Sequence, residues 1–438
     1  MTTSEGASKP AAGFDVAQRW LPALLLLFVG SGCAALIYEV VWFQLLQLSI
    51  GSSAVSLGVL LGIFMGGMCL GSLLTPRFLG TARHPLAVYA LLEAGIGVCG
   101  VVVMLVVPLI GGAYTAWVGS GQLSLLARAL VAGVCLIPPT LLMGATLPAI
   151  ARWVETTPRG VSWLGYFYGG NLAGAVIGSL LAGYYLLRVY DMPTATMVAV
   201  GINAVVALLA FTIAKWTPRA VVNDDPAAAP AVQASDAKLV YVAIGLSGLT
   251  ALGSEVVWTR LLSLLFGATA YTFSLILAVF LVGLGIGSSL GSSWARTVSS
   301  PRTALGWCQV GLCAALAWAA YATGTSLPYW PINPSILSVL PLPQMLSLTF
   351  QLDIARALWV ILPGAILWGA SFPLALAAVA TRGQDPARLV GGVYAANTVG
   401  AIVGALVTSL GLVGTVGSQI AQQVLIGVAA LSGLLRDL

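Results

Sequence analysis

Charge is scarce in this chain. Charged residues make up 7% of its 438 residues, and histidine occurs once, as His84. Soluble domains carry about a quarter charged residues, so the composition excludes a soluble enzyme. The net charge of +5 is too small to indicate a nucleic-acid partner. The six cysteines lie in apolar stretches without a Cys-x-x-Cys pair, so we predict no disulfide framework, no metal site and no cofactor.

Long apolar runs are what the chain has instead. Hydrophobic residues make up 59% of it, and its mean hydropathy is +1.00. A helix that crosses a membrane needs about 20 apolar residues. We therefore predict an all-α membrane protein in a lipid bilayer, with twelve transmembrane helices near residues 20–48, 54–75, 86–111, 125–150, 163–188, 194–214, 239–265, 269–292, 304–323, 352–378, 388–412 and 416–435.

Positive charge is concentrated in alternate connections between these runs. Fourteen of the eighteen Lys and Arg residues lie in the termini or in the second, fourth, sixth, eighth and tenth connections. The positive-inside rule therefore predicts a multi-pass protein of the inner (plasma) membrane with both termini in the cytoplasm. The predicted division of the chain is a cytoplasmic N-terminal tail (1–19), a first six-helix repeat (20–214), a cytoplasmic linker (215–238) and a second six-helix repeat (239–438).

The two halves repeat each other's sequence. Shifts of 216, 225 and 226 residues align successive parts; the first shift pairs Glu39 with Glu255 and Trp42 with Trp258, and the last pairs Asn171 with Asn397. With six spans in each half, the halves share one orientation and are related by an axis along the membrane normal, as in 6+6 transporters. This repeat predicts a bundle of the major facilitator type.

Glycines recur four residues apart in the second, fifth, eighth and eleventh predicted helices, as at Gly58, Gly62 and Gly66. Small residues at this spacing let helix backbones approach closely. The packing interpretation is the simpler one; the functional alternative is that these four helices form the seam along which the halves rock. Asn171 and Asn397 lie one turn from such glycines, and we expect their amides to bridge helices rather than to contact a substrate.

Ionisable residues inside the predicted spans mark the candidate site, because such residues are rare in hydrocarbon and usually face a cavity or a partner. They lie on the first, seventh, fourth and tenth helices, which line the central cavity of a major facilitator bundle. Arg128 enters from the outer side and can reach toward Glu39, while Asp353 and Arg356 can neutralise each other on one helix face. The residues concerned are Glu39, Glu255, Arg128, Asp353 and Arg356.

Two interpretations of the repeated glutamates stay open. In one, Glu39 and Glu255 are structural partners of an arginine or protonated core residues. In the other, they bind a cationic substrate or carry protons, and Trp42 and Trp258 add an indole face for a cation three residues further on. Glu93, which the repeat pairs with Gln309, is a further candidate that suits packing as well as proton coupling.

Three phrases carry a family resemblance: Ser-Gly…Glu-Val-Val-Trp, Pro-x5-Gly-x3-Pro and Tyr-x2-Asn-x2-Gly-x3-Gly, each present in both halves. They resemble the membrane region of the fused MFS/spermidine synthase family, over about residues 22 to 435. In that family the bundle is usually followed by a soluble aminopropyltransferase-like domain. The chain ends at Leu438 without such a pattern, so we expect no enzymatic activity and no catalytic residues.

The prediction is a transporter-like protein that carries a small cationic or polyamine-like metabolite. The alternative is a non-transporting membrane module that anchors a separately encoded, soluble aminopropyltransferase-like partner. One irregular segment remains, from Gly324 to Gln351, where prolines exclude a long helix. We predict an external loop there, or a lid over the cavity.

Overall fold

The computed structural model describes residues 12–50, 53–78, 84–117, 122–154, 158–217, 237–330, 341–380 and 386–434. Regular structure in these ranges is helical throughout and forms twelve long helices. They are α1 Ala12–Ile50, α2 Ser53–Phe78, α3 Pro85–Trp117, α4 Gln122–Val154, α5 Pro158–Leu180, α6 Met192–Trp216, α7 Ala237–Phe266, α8 Ala270–Thr297, α9 Pro301–Tyr321, α10 Leu342–Val379, α11 Pro386–Leu406 and α12 Gly417–Leu434.

Three of these helices continue through π-helical turns. The turn Leu181–Leu186 extends α5 to Val189, Ala322–Ser326 extends α9, and Val407–Leu412 extends α11 to Thr415. Within the described residues, eleven helices are long and apolar enough to cross a membrane. The twelfth, α12, is less apolar because its first turns carry Gln419, Gln422 and Gln423. The predicted all-α, twelve-helix membrane bundle is confirmed.

One predicted boundary was wrong: α10 begins at Leu342 rather than near residue 352. Helix α1 begins at Ala12, before its apolar stretch Trp20–Leu48, which matches the first predicted span. Pro343 does not break α10 because it lies in the first turn, where the missing N–H has no partner in any case. The proline argument therefore failed for the C-terminal part of the predicted loop; residues 331–340 lie outside the described ranges.

Equivalent helices make equivalent contacts in the two halves. In the first half α1 packs on α5, α2 on α4, and α3 on α6; in the second half α7 packs on α11, α8 on α10, and α9 on α12. Two further pairs, α2 with α11 and α5 with α8, join one half to the other. The result is two parallel six-helix repeats that meet along four helices.

Glycines set the closest of these contacts. A Cβ atom on Gly174 would overlap the backbone carbonyl of Val29 in α1, and one on Gly400 would overlap the carbonyl of Gly245 in α7. The glycine rows of α5, α8 and α11 thus face helices of their own half. Only the α2 row lies against the other half, where Gly58 faces Ser409 and Gly62 faces Leu406 in α11 and its extension. The four helices do meet at the junction of the halves, as the seam alternative requires, but only the α2 glycine row lies in that junction. Rocking along this junction stays a prediction.

The halves are closely packed at one end of the bundle. We call it the distal end. It carries the α1–α2, α5–α6, α7–α8 and α11–α12 connections and is opposite the end of α6 at Trp216 and the start of α7 at Ala237. The π-helical turns Leu181–Leu186 and Val407–Leu412 lie there, 226 residues apart and so at equivalent positions of the repeat. Gly183 in the first turn faces Ser274 of α8, as Ser409 in the second faces Gly58 of α2.

Burial along α8 shows where this close packing stops. Every residue from Thr272 to Phe280 is buried, which requires neighbours on all sides of the helix. Farther from the distal end, the buried residues of α8 are Gly283, Gly287 and Gly291, a single row that faces α10. The distal half of α8 is therefore enclosed by protein, while its other half is covered on one face only.

Candidate functional site

Glu39 and Glu255 lie at matching depths in α1 and α7. Each is eleven residues before the distal end of its helix, Ile50 or Phe266, which is roughly 16 Å at the helical rise of about 1.5 Å per residue. This depth is about half the thickness of a hydrocarbon core. Their exposed fractions are 5% and 2%, so both carboxyl groups lie in the interior near mid-bundle.

The carboxyl group of Glu39 lies within reach of the charge of Glu255, and no basic side chain among the described residues forms an ion pair with either. The charge of Glu255 acts on Glu39 across the junction of the halves. Among the described residues, the ion pair Asp353–Arg356 includes neither glutamate. One oxygen of Glu255, Oε1, is buried without a hydrogen-bond partner among these residues.

Neither of the arginines predicted as partners is seen to pair with Glu39 or Glu255. The side chain of Arg128 lies outside the described residues. Arg356 pairs instead with Asp353 on its own helix, at 3.5 Å between Nη1 and Oδ1, and its Nη2 donates to the carbonyl of Trp330 at 3.3 Å. The hydroxyl of Tyr271, in the first turn of α8, donates to Asp353 at 3.2 Å. Asp353 and Arg356 therefore form a paired group at the level of the distal end.

Trp42 and Trp258 are buried in separate aromatic clusters, each 1% exposed. Trp42 stacks on Tyr38 with ring centroids 5.3 Å apart. Trp258 packs on Trp368 of α10 at 5.6 Å, and Trp368 donates its indole N–H to Thr250 at 3.1 Å. Both indoles are thus committed to packing inside their own halves, next to the helices that carry the glutamates.

An aromatic cluster closes the bundle at its distal end, and sequence reasoning missed it. Tyr184, in the π-helical turn of the first half, lies edge-on to Tyr271 at 4.7 Å and to Phe350 at 5.0 Å in the second half. Phe43 of α1 meets Phe273 of α8 at 4.2 Å. The repeat gives no signal for the tyrosines, because their equivalents are Leu410 and Val55.

Glu93 lies in a polar network rather than beside the other glutamates. Its oxygens are 2.6 Å from Ser31 Oγ in α1 and 2.6 Å from Asn203 Nδ2 in α6. Gln309 occupies the equivalent place in the second half, in contact with Ser247, Ser371 and Ser432. Each network ties together the helices of one half.

Asn171 and Asn397 lie at the helix pairs α1–α5 and α7–α11. The amide of Asn171 donates to the carbonyl of Phe28 at 3.5 Å. The backbone carbonyls of Asn171 and Asn397 sit against Gly32 and Gly248, where a side chain would overlap them. The asparagines therefore contact α1 and α7 at Gly32 and Gly248, each about two helical turns before the glutamate of the same helix.

The oxygen atoms of the two glutamates limit what the pair can bind. Within the described ranges, no group of three His, Cys, Asp or Glu side chains is placed to hold a metal ion. The pair offers carboxylate oxygens, which bind hard cations and ammonium groups by charge.

Comparison with solved structures identifies the fold. The chain is similar to a bacterial metal transporter, with 13% sequence identity and a TM-score of 0.59 over 96% of this chain and 98% of that one. It is similar to a bacterial homologue of the iron transporter ferroportin in its inward-facing state, with 13% identity and a TM-score of 0.61 over 97% and 98% of the two chains. It is also similar to the human organic anion transporter MFSD10 (TETRAN), with 14% identity and a TM-score of 0.54 over 98% and 100%.

No protein-family pattern and no curated protein sequence matches the chain. The resemblance to the fused MFS/spermidine synthase family is therefore not shown by these comparisons. At 13% to 14% identity the structural similarity shows the fold alone. The chain is a multi-pass helical membrane protein with a major facilitator type of bundle.

Proposed function

We propose that this protein is a secondary carrier of a small cation, which Glu39 and Glu255 bind together near the middle of the membrane. One observation carries the proposal: two buried carboxyl groups lie at equivalent positions of the repeat, Glu39 is within reach of the charge of Glu255, and neither has a basic partner among the described residues. A structural pair of acids would be expected to have such a partner.

The energetics favour an exchange of cation for protons. An ionised carboxylate in a low-dielectric interior costs several kcal/mol unless it is paired. Two such groups next to each other are therefore stable either as protonated acids or as carboxylates around a cation. A dication neutralises both, so its arrival releases the protons and its departure takes them back.

The chemistry fits two kinds of dication, an organic diamine and a divalent metal ion. A diamine places one ammonium group on each carboxylate, and a metal ion lies between them. One of the similar structures is described as a bacterial metal transporter, one as a bacterial homologue of the iron transporter ferroportin, and one as an organic anion transporter. The acid pair supports a cation for this chain.

The pattern of positive charge supports a topology for the carrier. It favours a cytoplasmic position for both termini, and in that orientation the distal end faces outward. The halves are packed against each other at the distal end, and toward the opposite end α8 is covered on one face only. This conformation corresponds to a carrier closed to the outside. Opening requires Tyr184 to separate from Tyr271 and Phe350.

Flux into sealed proteoliposomes tests the proposal, with putrescine and Mn²⁺ as separate probes under an imposed pH gradient. Glu39→Gln or Glu255→Gln keeps side-chain size and removes one carboxylate, and loss of one partner of a buried ion pair costs about 3–5 kcal/mol. Affinity for the probe should therefore fall by about 10²- to 5 × 10³-fold.

A matched control removes a carboxylate elsewhere. Asp191 is exposed and caps α6 by accepting from the Thr194 N–H at 2.9 Å; its hydrogen bonds to Thr194 hold the pKa of that carboxyl below its usual range. Asparagine caps helices equally well, so Asp191→Asn should transport like the wild type. Equal flux of both probes in the wild type and in the folded Glu39→Gln/Glu255→Gln double variant would overturn the proposal.

A further inference from the structure

A third buried glutamate, Glu93 of α3, is fully enclosed, with 0% of its surface exposed. Ser31 of α1 and Asn203 of α6 contact its two carboxyl oxygens. Among the described residues no Lys, Arg or His pairs with it. The phenols of Tyr89 on its own helix and of Tyr38 on α1 lie close enough to act on it electrostatically, and their hydroxyl oxygens are buried without a hydrogen-bond partner among the described residues. Glu93 therefore has polar neighbours but no counter-charge.

The second half shows what this place in the fold accepts. Gln309, 216 residues after Glu93, is 1% exposed and meets Ser247, the equivalent of Ser31, at 3.5 Å. It also donates to Ser371 at 3.0 Å and accepts from Ser432 at 3.3 Å. A neutral amide thus fills the equivalent position and makes the same kind of interhelical links. The fold needs hydrogen bonds here and does not need a charge.

The Asn203 contact points to the same conclusion for Glu93. Asn203 Nδ2 and Glu93 Oε2 are 2.6 Å apart. This distance is short for an amide N–H donor, for which about 2.9–3.0 Å is usual, and it is ordinary for an O–H donor. The oxygen and nitrogen of an amide have the same shape and exchange places by a half-turn. As oriented, Asn203 Oδ1 is buried without a partner. The half-turn brings Oδ1 to the Glu93 oxygen, and the pair then needs a proton on Glu93.

We infer that Glu93 is a proton-holding positioning residue: a neutral carboxylic acid that donates to Asn203 and accepts from Ser31, tying α1 to α3 and α6. Ser31 precedes Glu39 by eight residues on α1, so this tie fixes the helix that presents Glu39. Glu93 takes no part in cation binding. Its proton stays in place while the protons of Glu39 and Glu255 exchange, a contrast that rests on the proposed function.

Infrared spectroscopy of the purified protein in detergent at neutral pH tests the inference, because a protonated carboxylic acid has a carbonyl band apart from those of carboxylates and amides. Glu93→Gln should remove one component of that band and leave Tm unchanged. Glu93→Leu, which cannot form the hydrogen bonds, should lower Tm by several degrees. An unchanged acid band in folded Glu93→Gln, or a Glu93→Gln protein as unstable as Glu93→Leu, would overturn the inference.

Putrescine and Mn²⁺ added separately distinguish this inference from the proposed function. If the inference and the proposed function both hold, either the diamine or the metal ion removes the acid band of Glu39 and Glu255 and leaves the Glu93 component. The Glu93→Gln protein then exchanges the cation like the wild type. If neither probe changes the band of the wild type while Glu93→Gln still removes its component, the inference stands and the proposed function fails. Loss of flux in a folded, stable Glu93→Gln protein would make Glu93 a coupling residue and overturn the inference.

Discussion

Gly174→Ala should destabilise the bundle more than any other single methyl group added to α5. The new Cβ would overlap the carbonyl oxygen of Val29, which belongs to the α1 backbone and cannot rotate away. Relief requires α1 and α5 to move apart along a contact that includes Gly170 and Gly178. Overpacking costs about 1–3 kcal/mol, and a backbone obstacle places this variant at the upper end of that range.

Two other glycines provide the scale for this measurement. A Cβ on Gly170 would meet the side chain of Leu25, which can change rotamer, so Gly170→Ala should cost about 1 kcal/mol. Gly201 lies in α6 with open space around its Cα, and Gly201→Ala should stabilise by about 0.5–1 kcal/mol because alanine loses less backbone entropy in a helix.

The assay is reversible unfolding in mixed micelles titrated with sodium dodecyl sulfate, followed by circular dichroism. The expected order of unfolding free energy is Gly201→Ala above wild type, then Gly170→Ala, then Gly174→Ala. Gly400→Ala, which meets the carbonyl of Gly245 in the second half, should match Gly174→Ala. If Gly174→Ala is as stable as Gly201→Ala, the helices are not packed as described.

Three further predictions concern the distal end. Cysteines at Gly62 and Leu406 should form a disulfide under mild oxidation and stop flux until the disulfide is reduced, because a Cβ on Gly62 lies 3.4 Å from Leu406 Cγ. The two single-cysteine variants serve as controls. Absence of a cross-link in the double variant would contradict the packing of α2 on α11. Tyr184→Ala removes the ring that bridges the halves, so a cysteine at Ser274 should react faster with an external maleimide than it does with Tyr184 present; equal rates would exclude a sealing role. Asp353→Asn leaves the buried Arg356 guanidinium without its counter-charge and should lower the free energy of unfolding by about 3–5 kcal/mol. The control Asp191→Asn, at an exposed carboxylate, should leave the free energy of unfolding unchanged. Equal stability of the two variants would show that the Asp353–Arg356 pair is solvated.

The repeat made much of this architecture predictable. Helix number and type follow from apolar run length, and the repeat pairs Glu39 with Glu255 without knowledge of any contact. The parallel relation of the halves follows from an even number of spans in each. These properties are predictable because hydrocarbon allows few alternatives to a fully hydrogen-bonded helix.

Other features depend on packing that one sequence does not encode locally. The start of α10 at Leu342 was missed because a proline reads as a helix breaker until its position in the first turn is known. Tyr184 and Tyr271 were missed because the repeat supplies no aromatic equivalents. The direction in which the α5, α8 and α11 glycines face depends on helix rotation, which four-residue spacing leaves undetermined.

Proton release on cation binding tests the central claim most directly. Purified protein is titrated calorimetrically with putrescine and with Mn²⁺ in two buffers of different ionisation enthalpy, and the difference in heat gives the number of protons released. The account predicts that at least one of the two probes displaces about two protons per cation bound, one from each glutamate, and that the Glu39→Gln/Glu255→Gln double variant neither binds it nor releases protons. Equal binding by the double variant, or binding to the wild type without proton release, would contradict the account.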